Sequence, residues 1–183
     1  MDGFTAAELE VLDWIAQHLH TDLLDSIMPW ISRLANSGGI WLLLGVLLMT
    51  LNRKERRVGG QVLLSMLLSL FFCNLILKNA VGRLRPFVQN PLVELLIAAP
   101  GDPSFPSGHS SVSFAAAAVL MLNGSKGRWA ALVLAGLIAF SRLYLYVHFP
   151  SDVLAGAALG IVCGLLSRQI WTYGSKRYTL RKS

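Results

Sequence analysis

Charge is what this chain has least of. Of its 183 residues only 14% are Asp, Glu, Lys or Arg, whereas 54% are hydrophobic. A soluble domain carries about 25% charged residues, and mean hydropathy here is +0.56. So little charge excludes a disordered chain and argues against a soluble globular domain; it describes a protein dissolved in lipid. Cysteine is scarcer still. Cys73 and Cys163 both lie in apolar runs without metal-ligand spacing, so they read as buried thiols and give no sign of a disulfide framework. Repeats and low-complexity tracts are absent. The acidic residues form no cluster suited to Mg²⁺, so no metal and no cofactor is expected.

What the chain has instead is apolar runs. A transmembrane helix needs roughly 20 mostly apolar residues. Residues 34–51 and 58–77 contain no charge. Residues 129–147 contain only Arg142, and 153–171 only Arg168. The run 110–122 spans only if its helix starts near Pro106. The expectation is an all-α integral membrane bundle of about five transmembrane helices, occupying residues 34–173.

Residues 1–33 differ. Thr5 and Glu8 fit a capping box, with Phe4 and Leu9 at the staple positions. Leu12, Ile15, Leu19 and Leu23 recur at helical spacing, while Glu8, Glu10, Asp13, Gln17 and His18 stay polar. Asp22 and Asp25 open a second short helix. Six acidic residues among the first 25 are too many for a span, so these helices are expected to lie on the bilayer surface. No basic segment precedes an apolar core, unlike a signal peptide.

The sixteen basic residues set the orientation. Eleven of them fall in the NRKERR and NGSKGR loops and at the C-terminal end, which five spans place on one face, and that face should be cytoplasmic. Residues 174–183 then form a basic cytoplasmic tail. The net charge of +6 is a topology signal and needs no nucleic acid to explain it. Trp41, Trp129 and Trp171 sit at span ends, as in an aromatic belt.

Five basic residues go against the rule: Arg33, Lys78, Arg83, Arg85 and Arg142. Lys78 and Arg85 lie in KNAVGRLRP, and Arg142 opens the stretch that ends at Asp152. Between them PSGH, Pro106–His109, starts a helix. Cations near hydrocarbon are costly unless an anion sits among them. Arg forks match phosphate oxygens, and a helix start offers free N–H groups. Gly108 lets backbone approach closely. Lys78, Arg85, Ser107, Gly108 and Arg142 therefore read as a phosphate cradle.

Two histidines complete it. Asp152 lies four residues beyond His148, and Pro150 suits a first helical turn, so the carboxylate can reach back to the ring. That fixes the tautomer and leaves one nitrogen free to attack. His109 is then available as the general acid.

Blander readings stand beside these. Lys78 and Arg85 could be snorkelling anchors. Arg33 and Arg83 read as such anchors, with Arg83 within reach of a second phosphate. His18 and His20 read as surface or capping residues, and Glu94 and Asp102 as solvated loop residues. Ser107 and Asp152 both suit helix caps. Gly156, Gly160 and Gly164 form a GxxxGxxxG face of the kind that packs helices within a chain. The apolar stretch between Pro91 and Pro100 is expected to be a short interfacial helix that gates lipid access.

KNAVGRLRP, PSGH and SRLYLYVHFPSD together resemble the type-2 phosphatidic acid phosphatase superfamily, whose pattern is K-x6-RP, PSGH, SR-x5-H-x3-D. The resemblance implies an all-α membrane phosphatase with its site on the extracytoplasmic side of a bacterial plasma membrane. It implies His148 as nucleophile through a phosphohistidine, Asp152 orienting it, and His109 protonating the leaving group. It implies a lipid phosphate as substrate. Soluble vanadium haloperoxidases are similar in their site, but five spans argue against that activity. The short chain and its LLDSIMPWISRLANSGG segment resemble small bacterial undecaprenyl pyrophosphate phosphatases. Gly108, where some of those have Asp, is as in phosphatidylglycerophosphate and broad-range lipid phosphatases. A non-catalytic lipid-phosphate binder or transporter is the alternative of another class.

Overall fold

A computed structural model describes residues 3–180, with side chains as far as residue 174. The side chains of Lys176 and Arg177, and all of Arg181 and Lys182, lie outside the described residues. Among the described residues every regular element is helical, as expected: α1 (Gly3–His18), α2 (Asp22–Leu34), α3 (Gly39–Met49), α4 (Arg53–Leu70), α5 (Lys78–Val81), α6 (Pro86–Gln89), α7 (Gly108–Leu122), α8 (Arg128–Tyr144) and α9 (Pro150–Leu180). A π-helical stretch, Phe71–Leu77, joins α4 to α5.

The helix ends follow local chemistry. Asn52 caps α4, its side-chain oxygen accepting from the N–H of Lys54 at 3.0 Å and of Glu55 at 3.2 Å. Pro150 opens α9, where its missing N–H costs no hydrogen bond. Between α2 and α3 the chain turns through Ser37 (φ 52°) and Gly38 (φ 72°). The positive φ favours glycine at 38, and an added Cβ would also press, at 2.7 Å, on the movable end of the Met66 side chain.

Two helical stretches are long and apolar enough to cross a membrane, Arg53–Gln89 and Pro150–Gly174. The α2 helix and residues 36–49 together make a third, bent by 51° at the break. The α7 helix is apolar but 15 residues long, and α8 has 17.

The α7 helix runs through the middle of the bundle, with α9, α8 and α4 around it. Its Ala115, Ala116 and Ala117 are buried, and these short side chains let neighbours come close. The expected glycine face of α9 packs there. A Cβ at Gly156 would lie 2.5 Å from the carbonyl oxygen of Ser107, and one at Gly160 would collide with the carbonyl of Ser111. This seam fixes the start of α7 against the start of α9, where the N–H of Ser107 donates to the carbonyl of Asp152 at 2.9 Å.

Three expectations change. Trp41 is no belt residue: it is 1% exposed, and its Nε1 donates to Ser113 Oγ at 2.9 Å. The stretch 91–100 forms turns, not a helix. Its alternate residues Val93, Leu95 and Ile97 pack inward while Leu92 and Leu96 are exposed, a two-residue period that a helix could not satisfy. Finally, α1 starts at Gly3, ahead of the expected cap at Thr5, and its acidic side is not simply wet. Glu8 is buried and Asp13 accepts from the Tyr146 hydroxyl at 2.6 Å, while Phe4, Val11 and Trp14 are exposed.

Candidate active site

Each expected site residue sits where an element ends. Lys78 follows the π-helical stretch, whose wider turns shift the face on which it emerges. Arg85 precedes α6, Arg142 lies in the last turn of α8, and His109 in the first turn of α7. His148 is in the loop between α8 and α9. Lys78, Arg85, Gly108, His109, Arg142 and His148 all line one cavity of about 340 Å³. Ser107 and Asp152 are buried and do not line it. Ser107 Oγ caps α7, accepting from the Ser110 N–H at 3.4 Å and from its hydroxyl at 3.0 Å. A Cβ at Gly108 would meet Asn74 Oδ1 at an ordinary 3.4 Å, so packing inside the protein does not itself require glycine there.

His148 is 1% exposed. Its Nδ1 lies 3.5 Å from Asp152 Oδ2, and its Nε2 lies 3.3 Å from a guanidinium nitrogen of Arg85. A carboxylate on one side and an N–H donor on the other assign the ring proton to Nδ1 and a lone pair to Nε2. Burial pushes the imidazole down to about 3; Arg142 and Arg85 act in the same direction and Asp152 against it. The ring is therefore neutral at neutral pH.

Asp152 is held from every side. Its Oδ2 accepts from Ser104 Oγ and, at 2.9 Å, from the N–H of Phe149; its Oδ1 accepts from Arg83 at 2.7 Å. In the same cavity His109 Nε2 lies 2.9 Å from Asn36 Oδ1, in the α2–α3 break. Arg142 is 3% exposed, donates to Ser32 Oγ, and keeps an unpartnered Nε. The arrangement offers an anion three cations and a helix start, and offers its central atom a neutral ring nitrogen.

Residues 59–176 match the PAP2 superfamily. The chain belongs to that superfamily. An undecaprenyl-diphosphatase of Sulfolobus acidocaldarius is 33% identical over 153 residues, covering 82% of this chain and 72% of the relative. The crystal structure of Aquifex aeolicus LpxE has a TM-score of 0.77 at 30% identity, covering 88% of this chain and 94% of that one. A PAP2-type phosphatidylglycerolphosphate phosphatase from Bacillus subtilis shares the fold, with a TM-score of 0.75 at 22% identity over 93% and 87% of the two chains. The chain is a PAP2 membrane phosphatase.

Several residues of this PAP2 site escape a reading by sequence. Arg83 is no surface anchor: it donates to Asp152 Oδ1, to Ser151 Oγ at 2.8 Å and to Glu8 at 2.5 Å, and it stacks on Phe149 at 3.9 Å. Glu8 also accepts the N–H of Ser151 at 2.7 Å. The only sequence hint was the position of Arg83 between Lys78 and Arg85. Asp102 is an exposed loop residue, as expected, but it is not idle. Its carboxylate bridges Lys78 and Arg85, with Arg85 at 2.8 Å. Burial works to raise its pKa, but Lys78 and then Arg85 outweigh this and hold it down to about 2. Glu8, Ser32 and Asn36 all lie outside the 59–176 match.

Proposed function

We propose that this PAP2 protein is a metal-independent lipid phosphatase that converts undecaprenyl pyrophosphate to undecaprenyl phosphate, working through a phosphohistidine. The observation that carries the chemistry is His148: a neutral buried ring with Nδ1 toward Asp152 and Nε2 beside Arg85, in a cavity that Lys78 and Arg142 also line. Lys78, Arg85, Arg142 and the Ser107–Gly108 helix start hold the terminal phosphate. The Nε2 lone pair attacks phosphorus as the bond to the bridging oxygen breaks, and His109, protonated in the presence of the bound substrate's negative charge, gives its proton to that leaving oxygen. Water then attacks the phosphorus, His109 takes its proton, and the P–N bond breaks to release inorganic phosphate and neutral His148. Asp152 orients the ring throughout.

The sequence similarity to the Sulfolobus undecaprenyl-diphosphatase supports the substrate. The charge asymmetry of the loops supports a bacterial plasma membrane with the site on the extracytoplasmic face. The exposed Phe4, Val11, Trp14, Leu23, Ile27 and Trp30 support α1 and α2 as helices that lie in the lipid interface. Gly108 favours a second reading, phosphatidylglycerophosphate or phosphatidic acid as substrate.

Turnover of the three lipids side by side, in detergent with EDTA, tests both. The expected result is preference for the diphosphate, full activity in EDTA, and loss of at least about 10,000-fold in His148→Ala. Faster turnover of either glycerolipid selects the second reading, and lipid binding without phosphate release selects a non-catalytic protein.

A further inference from the structure

The phosphate cradle already contains an anion. Asp102 sits in the turn-rich segment before α7, and its two carboxylate oxygens meet the two cations that the phosphate needs. Lys78 and Arg85 are 6% and 4% exposed. Cations so buried are stable only with a partner, and Asp102 is that partner. Its side chain remains 51% exposed at the cavity. Its backbone is anchored separately, because Arg85 Nε donates to the Asp102 carbonyl at 2.8 Å. The carboxylate can therefore rotate away while the loop stays in place.

We infer that Asp102 is an internal stand-in for the substrate's phosphate, which must displace it from Lys78 and Arg85 on binding and is displaced by it on release. The exchange is uneven by design of the charges. A carboxylate brings one negative charge and two oxygens; a phosphoryl group brings up to two charges and three oxygens. Asp102 engages two of the cations, and Arg142, which lines the same cavity and makes no ion pair among the described residues, is left to the phosphate. Substrate therefore wins the site. Inorganic phosphate, no longer tethered to a membrane lipid, then leaves a site whose cations are recaptured at once. Without Asp102 two buried cations would hold the product tightly. The residue thus trades phosphate affinity for release.

The inference rests on the reading of the cavity as a phosphate site, and the test separates the two. The full chain in detergent is assayed for inhibition by inorganic phosphate, as the parent, D102N and D102E. D102N keeps the shape and removes the charge. The expected result is an inhibition constant lower by about tenfold or more, a KM lowered with it, and a kcat that falls as phosphate release slows. D102E restores the weak phosphate binding of the parent. Thermal unfolding with increasing phosphate gives the same ranking if a variant turns over too slowly to assay, since a tighter ligand raises the midpoint at lower concentration. Phosphate binding in D102N that is equal to or weaker than the parent's overturns the inference and makes Asp102 an organiser of the cations. A parent that phosphate neither inhibits nor stabilises removes the phosphate-site reading itself, and the inference with it.

Discussion

The two walls of the cavity are built to opposite rules. Behind His148, Asp152 accepts from Ser104, Phe149 and Arg83, and Arg83 is itself pinned by Glu8. Elsewhere in the cavity, among the described residues, His109 pairs with Asn36 and the Nε of Arg142 has no partner. The first wall is held in place by linked hydrogen bonds among mostly buried groups. The second keeps hydrogen-bonding capacity in hand for an incoming anion and a leaving group. A nucleophile needs one orientation, whereas groups that meet substrate need unspent donors.

Removing the charge that closes the first wall should have the larger effect. Arg83→Gln leaves Asp152 and Glu8 without their shared cation. A fall in kcat of about 100-fold is expected with KM little changed, as is typical when an orienting residue is lost. A rise in KM with kcat intact would place Arg83 among the substrate contacts and dissolve the contrast. Glu8→Gln keeps the shape and weakens the same network from its far end; the expected loss is about tenfold in kcat, and recovery in Glu8→Asp would mark a charge effect. On the second wall Asn36→Ala should cost only about threefold to tenfold, read as a slower leaving-group step with the lipid diphosphate.

The same contrast shows in pH dependence. In the proposed mechanism the neutral ring of His148 is the reactive form, and its pKa is pushed down to about 3, so protonation removes it only well below the ordinary histidine value of about 6.5. The acid limb of kcat/KM, which reports the uncomplexed enzyme, should therefore not show a histidine-like step near 6.5 from this residue. In Arg83→Gln, where Asp152 loses its competing cation and pulls harder on the ring, the limb should move upward.

How far the sequence could be read follows from how local each feature is. The motifs from Lys78 to Asp152 were legible because their spacing is short and chemically specific. The α7–α9 seam was legible from three glycines at helical spacing. The link between Glu8 and Arg83 was not, because the partners lie 75 positions apart and neither is unusual alone. Trp41 and residues 91–100 misled because their composition suits an interface. A buried Ser113 hydroxyl captured the indole, and alternate burial decided the backbone of the loop.

The glycine seam has a consequence for life in a changing membrane. Transmembrane helices tilt when bilayer thickness varies. Here the segment bearing His109 and the segment that braces His148 are clamped backbone to backbone through Ser107 and Asp152. They lean as one calliper, and the gap between the two rings stays set while the lipids around them thin or thicken.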